Sequence, residues 1–375
     1  MSSPASPLDA PLRAERLTLD EWRRRQATGR DGAAATLPQG AGAPPPAPLG
    51  LLAYGSGAPH GVAAQLLGDG EPRVDLWWGA ASGLQSGRSG SVAWRSDGQW
   101  LHGVLELGDT DDTDDTEAAA LDGPSLRAAP QASLATLTHR AYQDVFAALE
   151  QSGCTHLLRV WNYLPRINAE GGGLERYRQF NFGRQQAFIE AGRSTVEGVP
   201  VACALGTRGG PLHVSFLAAR DAMALPIDNP RQVAPASYPD AYGPRSPTFS
   251  RAALLDVGAG RLALFVAGTA SIVGHASMHA GDVLAQTHET LRNLEAIVAQ
   301  ARARCTARFA LSRLDCVVYV RQAAHWPAVR EVLASALGAD SLTLRGAVAL
   351  QADVCRSDLL IEIEAHAFEP GELLP

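Results

Sequence analysis

The sequence predicts an α+β protein built from two tandem units, each a mixed β-sheet packed against two helices. The chain has 375 residues, which is enough for two domains of ordinary size. Its apolar content of 46% and charged content of 19% are typical of a globular protein with a substantial core. The most informative observation is an internal repeat, because the order helix, strand, helix, strand, strand occurs twice.

The first copy of the repeat begins with a helix that should end at Gly153, since glycine commonly follows the last turn of a helix. Four strand-rich sequences precede it: LLAYGSG, VDLWWGA, SVAWRS and LHGVLELG. The copy itself is predicted as helix 134–153, strand 155–164, helix 175–192 and strands 199–207 and 212–220. Together these elements define an N-terminal unit at residues 48–222.

The second copy begins with an amphipathic helix in which Leu291, Leu294 and Ile297 recur at helical spacing. Pro327 suits the first turn of the next helix, where a missing N–H costs little. The strand-rich stretch RAALLDVGAGRLALFVAGTASI comes before this copy. The copy is predicted as helix 284–302, strand 314–322, helix 325–337 and strands 343–354 and 359–367. These elements define a C-terminal unit at residues 228–375.

Two segments lie outside the repeats. Residues 1–47 become rich in Pro, Ala and Gly toward their end, and we expect them to form a flexible leader. The sequence GDTDDTDDTEAAA forms an acidic insertion near residues 108–120. We expect a solvated loop there, because its carboxylates lack the glycine-turn spacing of a calcium loop.

Charge, hydropathy and cysteine spacing argue against several classes of protein. The net charge of -7 offers no electrostatic footprint for nucleic acid, and no apolar run is long enough to span a bilayer. The first residues lack the apolar core of a secretory signal. The five cysteines are widely spaced and form no CxxC pair or Cys/His metal spacing. We therefore expect a cytoplasmic, reduced protein without a metal.

The segment DVCRSDLLIEIEAHA contains a predicted strand with an unusual position for an acid. Side chains alternate between the two faces of a strand, so Leu359, Ile361 and Ile363 share one face. Glu362 and Glu364 then share the other face. One interpretation is a sheet with a solvated face, where glutamates are ordinary. The other is a carboxyl group placed in a cleft to transfer a proton.

Residues 245–367 resemble the Rid (YjgF-like) superfamily. The resemblance rests on SRAALLDVGAGRLALFVAGTASIVG, THETLRNLEAIV, VVYVR and LLIEIEAHA. Two such units in one chain, with NPRQVAPASYPDAYGPRSP before the second, resemble a narrower family, the chorismatases. The resemblance implies two tandem Rid/YjgF-like units with ligand clefts between neighbouring units. It also implies an enzyme that cleaves chorismate into pyruvate and a cyclic acid.

Within that family, Gly268, Cys355 and Glu362 resemble the branch that releases 3-hydroxybenzoate. The resemblance implies that Glu362 protonates the methylene carbon of the enol ether and then stabilises the oxocarbenium ion, with Glu364 as a supporting residue. Burial would have to keep this acid protonated near neutral pH. Gly268 and Cys355 would shape the pocket so that the substrate's own ring hydroxyl attacks, with some 4-hydroxybenzoate as a second product. Without the resemblance, Gly268 would be interpreted as a bend in a strand and Cys355 as a small buried residue.

The substrate carries two carboxylates, which arginine can bind through paired hydrogen bonds. Each candidate also has a plain structural explanation, as a surface turn, a capping loop or a helix face. The substrate-binding candidates are Tyr242 and Arg245 in YGPRSP, Asn162, Tyr163 and Arg166 in RVWNYLPRIN, and Arg178 and Arg184 on the following helix. Arg321 and Arg345 are weaker candidates. His275 and His279 have helix-like spacing, but without an evident third ligand we expect loop residues and no metal site.

Two other functions stay open at this point. A generic Rid-type imine deaminase would hold one carboxylate with an arginine and release ammonia from 2-imino acids. A small-acid-binding module would bind such acids without turnover. The resemblance favours an enzyme without a cofactor that acts on chorismate, with neither nucleic acid nor membrane as a partner. A monomer and a homotrimer are both compatible with it.

Overall fold

The computed structural model describes residues 11–31, 47–55, 61–68, 70–80, 83–108 and 133–374. Within these ranges the α-helices, in chain order, are α1 (Leu19–Asp31), α2 (Leu134–Ser152), α3 (Arg176–Glu190), α4 (Val283–Arg302), α5 (Trp326–Leu337) and α6 (Leu342–Gly346).

The strands of the described residues carry labels in chain order. They are β1 (Arg13–Thr18), β2 (Gly50–Tyr54), β3 (Gly61–Val62), β4 (Gln65–Leu66), β5 (Arg73–Trp78), β6 (Gln85–Ser89), β7 (Val92–Ser96), β8 (Trp100–Leu107), β9 (His156–Pro165), β10 (Glu170–Gly171), β11 (Leu174–Glu175), β12 (Val201–Thr207), β13 (Leu212–Ala219), β14 (Leu225–Ile227), β15 (Ala252–Gly258), β16 (Arg261–Ala270), β17 (Ile272–Val273), β18 (Ala276–Ser277), β19 (Asp315–Val320), β20 (Val348–Gln351) and β21 (Ile361–Pro370).

Local sequence chemistry sets the ends of two helices as predicted. The hydroxyl of Ser133 accepts a hydrogen bond from the backbone N–H of Thr136 at 3.3 Å and caps α2. Gly153 follows the last turn of α2 with a φ of 70°, a backbone conformation that glycine adopts without strain. Pro327 lies in the first turn of α5. Both predictions are confirmed.

Three larger sheets organise the described residues. The first has four strands in the order β1-β5-β2-β3, the second six in the order β12-β9-β13-β8-β7-β6, and the third seven in the order β14-β15-β16-β21-β19-β20-β4. The pairs β9–β12 and β19–β20 are parallel, whereas the neighbours of β9 and β19 on their other sides are antiparallel. Mixed sheets with helices confirm the predicted α+β class.

The three sheets share one interior. Trp77 of the four-stranded sheet lies with its ring centroid 5.4 Å from that of Trp161 in the six-stranded sheet. It also lies 6.2 Å from the ring of Phe265 in the seven-stranded sheet. Helices cover the opposite faces: α1 packs on the first sheet, α2 and α3 on the second, and α4 and α5 on the third. Inward-facing side chains of all three sheets therefore form a common core, which we call the shared interior.

The expectation that residues 1–47 form a flexible leader is wrong for residues 11–31. Strand β1 pairs with β5 along its length, and Arg16 forms two hydrogen bonds to the carboxylate of Asp75 at 2.6 and 2.7 Å. Arg16 also donates to the carbonyl oxygens of Cys316 and Gly346 at 2.8 and 3.0 Å. This segment therefore belongs to the four-stranded sheet, together with β2 and β5, which the sequence had assigned to the N-terminal unit.

Some expectations fall outside the described residues. They are the remainder of the leader and nearly all of the acidic insertion near residues 108–120. The unit boundaries at 48–222 and 228–375 stay predictions. In the described part of the chain, each helix is too short or too polar to span a membrane.

Candidate active site

A cavity of about 260 Å³ lies between the two predicted units. The start of α3 contributes one wall, and a segment with two 3-10 turns, Pro235–Ser237 and Asp240–Tyr242, contributes another. Strands β16 and β21 form the floor, together with the loop that follows β20. Polar and apolar side chains from both units thus face one concave space, which is typical of a small-molecule site.

Glu362 lies at the floor of this cavity, on the central strand β21. It is paired in register with Ala270 of β16 and Tyr319 of β19, and only 4% of its surface is exposed. Its face of β21 points into the shared interior, whereas Ile361 and Ile363 pack beneath the helices. The interpretation as a solvated glutamate is therefore wrong, while the predicted alternation of side chains is confirmed.

Burial is the main cause of the raised pKa of the Glu362 carboxyl group. It raises the pKa of the carboxyl group to about 8, and the negative charge of Glu364 acts in the same direction. The positive charges of Arg159 and Arg251 oppose this shift. Near neutral pH the carboxyl group is therefore largely protonated and can serve as an acid.

Gly268 brings the backbone of β16 against this acid. The pairing of β16 with β21 shifts register between Val266 and Thr269, so the strand bulges at Gly268. A Cβ atom added at Gly268 would lie 1.9 Å from Oε1 of Glu362. Such a distance is far below any van der Waals contact, so the carboxyl group occupies the space that any other side chain would fill. The glycine is needed for this close approach.

Cys355 lines the cavity from the loop after β20. Burial raises the pKa of its thiol to about 12, and the nearby Glu362 adds to the effect. The group therefore stays a neutral thiol near pH 7, whereas a nucleophilic cysteine needs a thiolate. Among the described residues that line the cavity there is no histidine to serve as its base. A steric role fits this environment better than covalent catalysis.

Arg251 and Arg356 supply fixed positive charge at the cavity. Arg251 is 6% exposed, and its Nη2 donates to the hydroxyl of Tyr238 at 2.7 Å. The guanidinium of Arg356 lies 4.0 Å from the ring centroid of Tyr242, and its Nη1 donates to the carbonyl oxygen of His275 at 2.8 Å. These contacts order both side chains before any ligand binds.

Each of these two arginines keeps an unused donor. The Nε of Arg251 and the Nη2 of Arg356 are buried and have no hydrogen-bond partner among the described residues. Both residues line the cavity, and a guanidinium is well suited to a ligand with carboxylate oxygens. The cavity thus combines a protonated acid with two cations suited to carboxylates.

The structure brings five of the sequence-predicted residues to the cavity: Glu362, Gly268, Cys355, Tyr242 and Arg178. Tyr242 carries the stacked Arg356 and hydrogen bonds through its hydroxyl to Nδ1 of His275 at 3.2 Å. Arg178 lies at the start of α3, with its Nε 3.3 Å from the carboxylate of Glu175.

Three predicted substrate-binding residues are instead interior side chains and do not line the cavity. The amide of Asn162 donates to the carbonyl of Cys203 and accepts from a buried tyrosine hydroxyl, both at 2.8 Å. The hydroxyl of Tyr163 lies 2.8 Å from that of Tyr319 in the shared interior. Arg184 donates to the backbone carbonyl of Thr248. Strand β9 is covered on both faces, so its side chains enter two cores and never reach the cleft.

Two further candidates lie elsewhere on the molecule. Arg166 follows the end of β9 with a positive φ of 52° and is exposed. Arg245 is also exposed, with its guanidinium 5.7 Å from the ring of Phe182. Neither is among the described residues that line the cavity.

Arg321, a weaker candidate, is occupied by structural contacts. Its guanidinium donates to the carbonyl of Leu359 at 2.8 Å and to four further acceptors in or beside the loop after β20. It therefore holds the loop that carries Cys355 and Arg356. The described residues contain no cluster of His, Cys, Asp and Glu that could hold a metal, and His279 lies 3.4 Å from the carboxylate of Glu289.

Sequence reasoning missed Arg251, Arg356 and Tyr238. Arg356 directly follows Cys355, and Arg251 is the first residue of the predicted strand-rich stretch, so adjacency to a site residue or to a strand end was the available signal. The prolines around Arg245 favoured that loop as the substrate-binding segment instead. The loop does reach the cavity, but through its tyrosines.

Comparisons with known proteins agree with this geometry. A family model described as "Chorismatase FkbO/Hyg5-like, N-terminal" matches residues 75–218. A 3-hydroxybenzoate synthase from Streptomyces hygroscopicus is 38% identical over 248 residues, which is 64% of this chain and 71% of the relative. A chorismatase from the same organism is 33% identical over 331 residues, covering 84% of this chain and 88% of the relative. A crystal structure of a chorismatase aligns with a TM-score of 0.74 and 28% identity, over 96% of this chain and 99% of that chain. The chain belongs to the chorismatase family.

Proposed function

We propose that the protein cleaves the enolpyruvyl ether of chorismate to pyruvate and 3-hydroxybenzoate. The observation that carries the proposal is the buried carboxyl group of Glu362, which lies against Gly268 in a cavity that two arginines flank. The relative with 38% identity is named for the same product.

Glu362 would act as the general acid. It donates its proton to the methylene carbon of the enol ether, which turns the neighbouring carbon into an oxocarbenium ion. The carboxylate left behind stabilises that cation across the cavity. One residue can therefore serve both needs, because burial favours its neutral form before the transfer and the new positive charge favours its ionised form afterwards.

Gly268 and Cys355 would direct the second stage. Chorismate contains the atoms of pyruvate plus hydroxybenzoate with none left over, so this route consumes no net water. We propose that the two small groups hold the ring so that its own hydroxyl attacks the neighbouring ring carbon that bears the ether oxygen. The bond between that carbon and the ether oxygen breaks, pyruvate leaves, and the hydroxyl proton passes to the carboxylate of Glu362. The resulting epoxide opens at the carbon that first carried the hydroxyl, its oxygen takes up a proton, and loss of the remaining proton on the other carbon makes the ring aromatic. A route that added water would give a dihydroxylated diene acid instead.

Arg251 and Arg356, which line the cavity, would bind the two carboxylates. Arg178 and Tyr242 would complete the rim of the site. This assignment keeps Arg178 from the sequence analysis and proposes Arg251 and Arg356 in place of Arg166, Arg184 and Arg245. The expectations of a cytoplasmic location, of no cofactor and of a monomer or homotrimer stay predictions.

The test is to incubate the pure protein with chorismate and to follow pyruvate and the aromatic acids by chromatography. Glu362→Gln keeps the shape of the side chain and removes the proton, so we expect kcat to fall by about 10³-fold or more. Glu372→Gln makes the same change at an exposed position and should retain the wild-type rate. Absence of pyruvate release by the wild-type protein would end the proposal, and ammonia release from 2-imino acids would favour a deaminase.

A further inference from the structure

Arg159 is a fully buried arginine that connects two sheets. It belongs to β9 of the six-stranded sheet and is 1% exposed. Its side-chain hydrogen bonds nevertheless go to the seven-stranded sheet. Nη1 donates to the carbonyl oxygen of Val266 at 2.9 Å, and Nη2 donates to Oε2 of Glu364 at 2.6 Å. The side chain therefore crosses the shared interior to reach the strands that carry the acid.

The two acceptors of Arg159 lie at the bulge in β16: Val266 precedes it on β16, and Glu364 lies opposite it on β21. Val266 pairs with Ala365 of β21, and the next regular pair joins Thr269 to Ile363. Two residues of β16, Ala267 and Gly268, therefore stand opposite Glu364 alone. The guanidinium of Arg159 thus binds Val266, the last regularly paired residue before the bulge, and Glu364, the residue opposite the bulge.

The bulge decides where Gly268 lies relative to the acid. With one residue fewer on β16, the side chains that follow would exchange faces, and the close approach of Gly268 to Glu362 would be lost. Bulges interrupt the sheet's hydrogen bonding and are held by other contacts. The Val266 carbonyl is such a group, and Arg159 satisfies it.

Two buried side chains, Arg159 and Tyr319, fix the position of the Glu364 carboxylate. Besides Arg159 it accepts a hydrogen bond from the hydroxyl of Tyr319 at 2.8 Å, and that hydroxyl lies 2.8 Å from the hydroxyl of Tyr163. Side chains from both sheets thus fix the carboxylate, and the side chains of the ion pair are only 2% and 3% exposed.

We propose that Arg159 is a positioning residue, which clamps the β16 bulge to β21 and so keeps Gly268 directly against Glu362. It does not line the cavity and acts through these two residues. Its loss should therefore reduce the rate of proton transfer and leave substrate affinity almost unchanged. The kinetic part of this inference rests on the proposed function.

The experiment has to avoid an unpaired buried charge, since removing one partner of a buried ion pair is strongly destabilising. The main variant is therefore the double substitution Arg159→Met with Glu364→Gln, which removes the clamp and both charges at similar volume. Arg159→Lys keeps the charge and at least one donor. Arg16→Lys is the matched control, because Arg16 also joins a carboxylate to backbone carbonyls but far from the cavity lining.

With chorismate as substrate, we expect the double variant to lose about 10- to 100-fold in kcat, with KM within about threefold of the wild type, as for a displacement near 1 Å of reacting groups. Arg159→Lys should recover part of the loss, and Arg16→Lys should keep the wild-type kcat. A wild-type kcat in the double variant, a change in KM alone, or an equal loss in Arg16→Lys would overturn the inference.

Crystal structures separate this inference from the proposed function. The double variant should show a shifted bulge, with Gly268 moved away from the carboxyl group of Glu362. An unchanged bulge would overturn the positioning role even if turnover fell. If the wild-type protein released no pyruvate, the proposed function would fail, and the bulge geometry would still decide the role of Arg159.

Discussion

Replacing Glu362 by glutamine should make the stability of the protein less sensitive to alkaline pH. The wild-type carboxyl group has a pKa of about 8 in the folded protein, because it is buried, and an ordinary value of 4.5 otherwise. Between these two values the folded state holds a proton that the unfolded state has released. Folding stability from this group is therefore complete at low pH and declines as the pH rises toward 8.

The size of the effect follows from the two pKa values. Each pH unit between them costs the wild type about 1.4 kcal/mol, and above about pH 8 the loss levels off near 5 kcal/mol. Glutamine carries no charge at any pH and escapes this loss. The free energy of unfolding of Glu362→Gln, relative to the wild type, should therefore rise by about 3 kcal/mol between about pH 5.5 and about pH 7.5.

Urea denaturation at several pH values measures this difference, provided that unfolding is reversible. Any lost contact of the carboxyl group adds a constant offset and leaves the slope unchanged. Glu372→Gln, at an exposed position, serves as the control and should show almost no slope relative to the wild type. A difference between Glu362→Gln and wild type that does not vary with pH would refute the burial and the raised pKa on which the acid role depends.

Three further predictions concern activity. The value of kcat/KM should fall as pH rises through about 8, because Glu362 of the free enzyme must be protonated to act, and a pH profile of kcat/KM for chorismate cleavage checks this. Gly268→Ala places a methyl group 1.9 Å from Oε1 of Glu362 and should lower kcat by about 100-fold, whereas Gly346→Ala, whose added Cβ meets no atom closer than 3.7 Å, should not. Equal rates for these two variants would contradict the steric argument. Arg356→Gln should lower kcat/KM by about 10- to 100-fold through a lost charge-assisted hydrogen bond, and a KM close to the wild-type value would count against its role in binding.

Local periodicity explains how much of the site could be predicted. The alternation of Ile361, Glu362 and Ile363 places the acid and the apolar residues on opposite faces of a strand, and this needs no knowledge of distant residues. The same argument could not say what covers each face. That depends on the shared interior, to which sheets from remote parts of the chain contribute.

Long-range pairing explains what could not be predicted. Strand β1 has the unremarkable sequence RAERLT, and its place in a sheet depends on Asp75 and on carbonyls some 300 residues further on. The cavity arginines present the same difficulty, since Arg251 and Arg356 are remote in the sequence and come to one cavity only in the folded C-terminal unit. The polar sequence around Asn162 and Tyr163 suggested a cleft, whereas their hydrogen bonds lie inside the protein.

The alternation along β21 also protects the enzyme from misplacing its acid. The inward positions hold Glu362, Glu364 and His366, each less than 9% exposed, and the neighbouring positions hold isoleucines and alanines. A slip of one residue would drive three ionisable groups against the apolar underside of α4 and leave the guanidinium of Arg159 without its carboxylate. The register error that would inactivate the enzyme would therefore also strongly destabilise the fold. Correct folding and correct orientation of the proton donor depend on the same strand register.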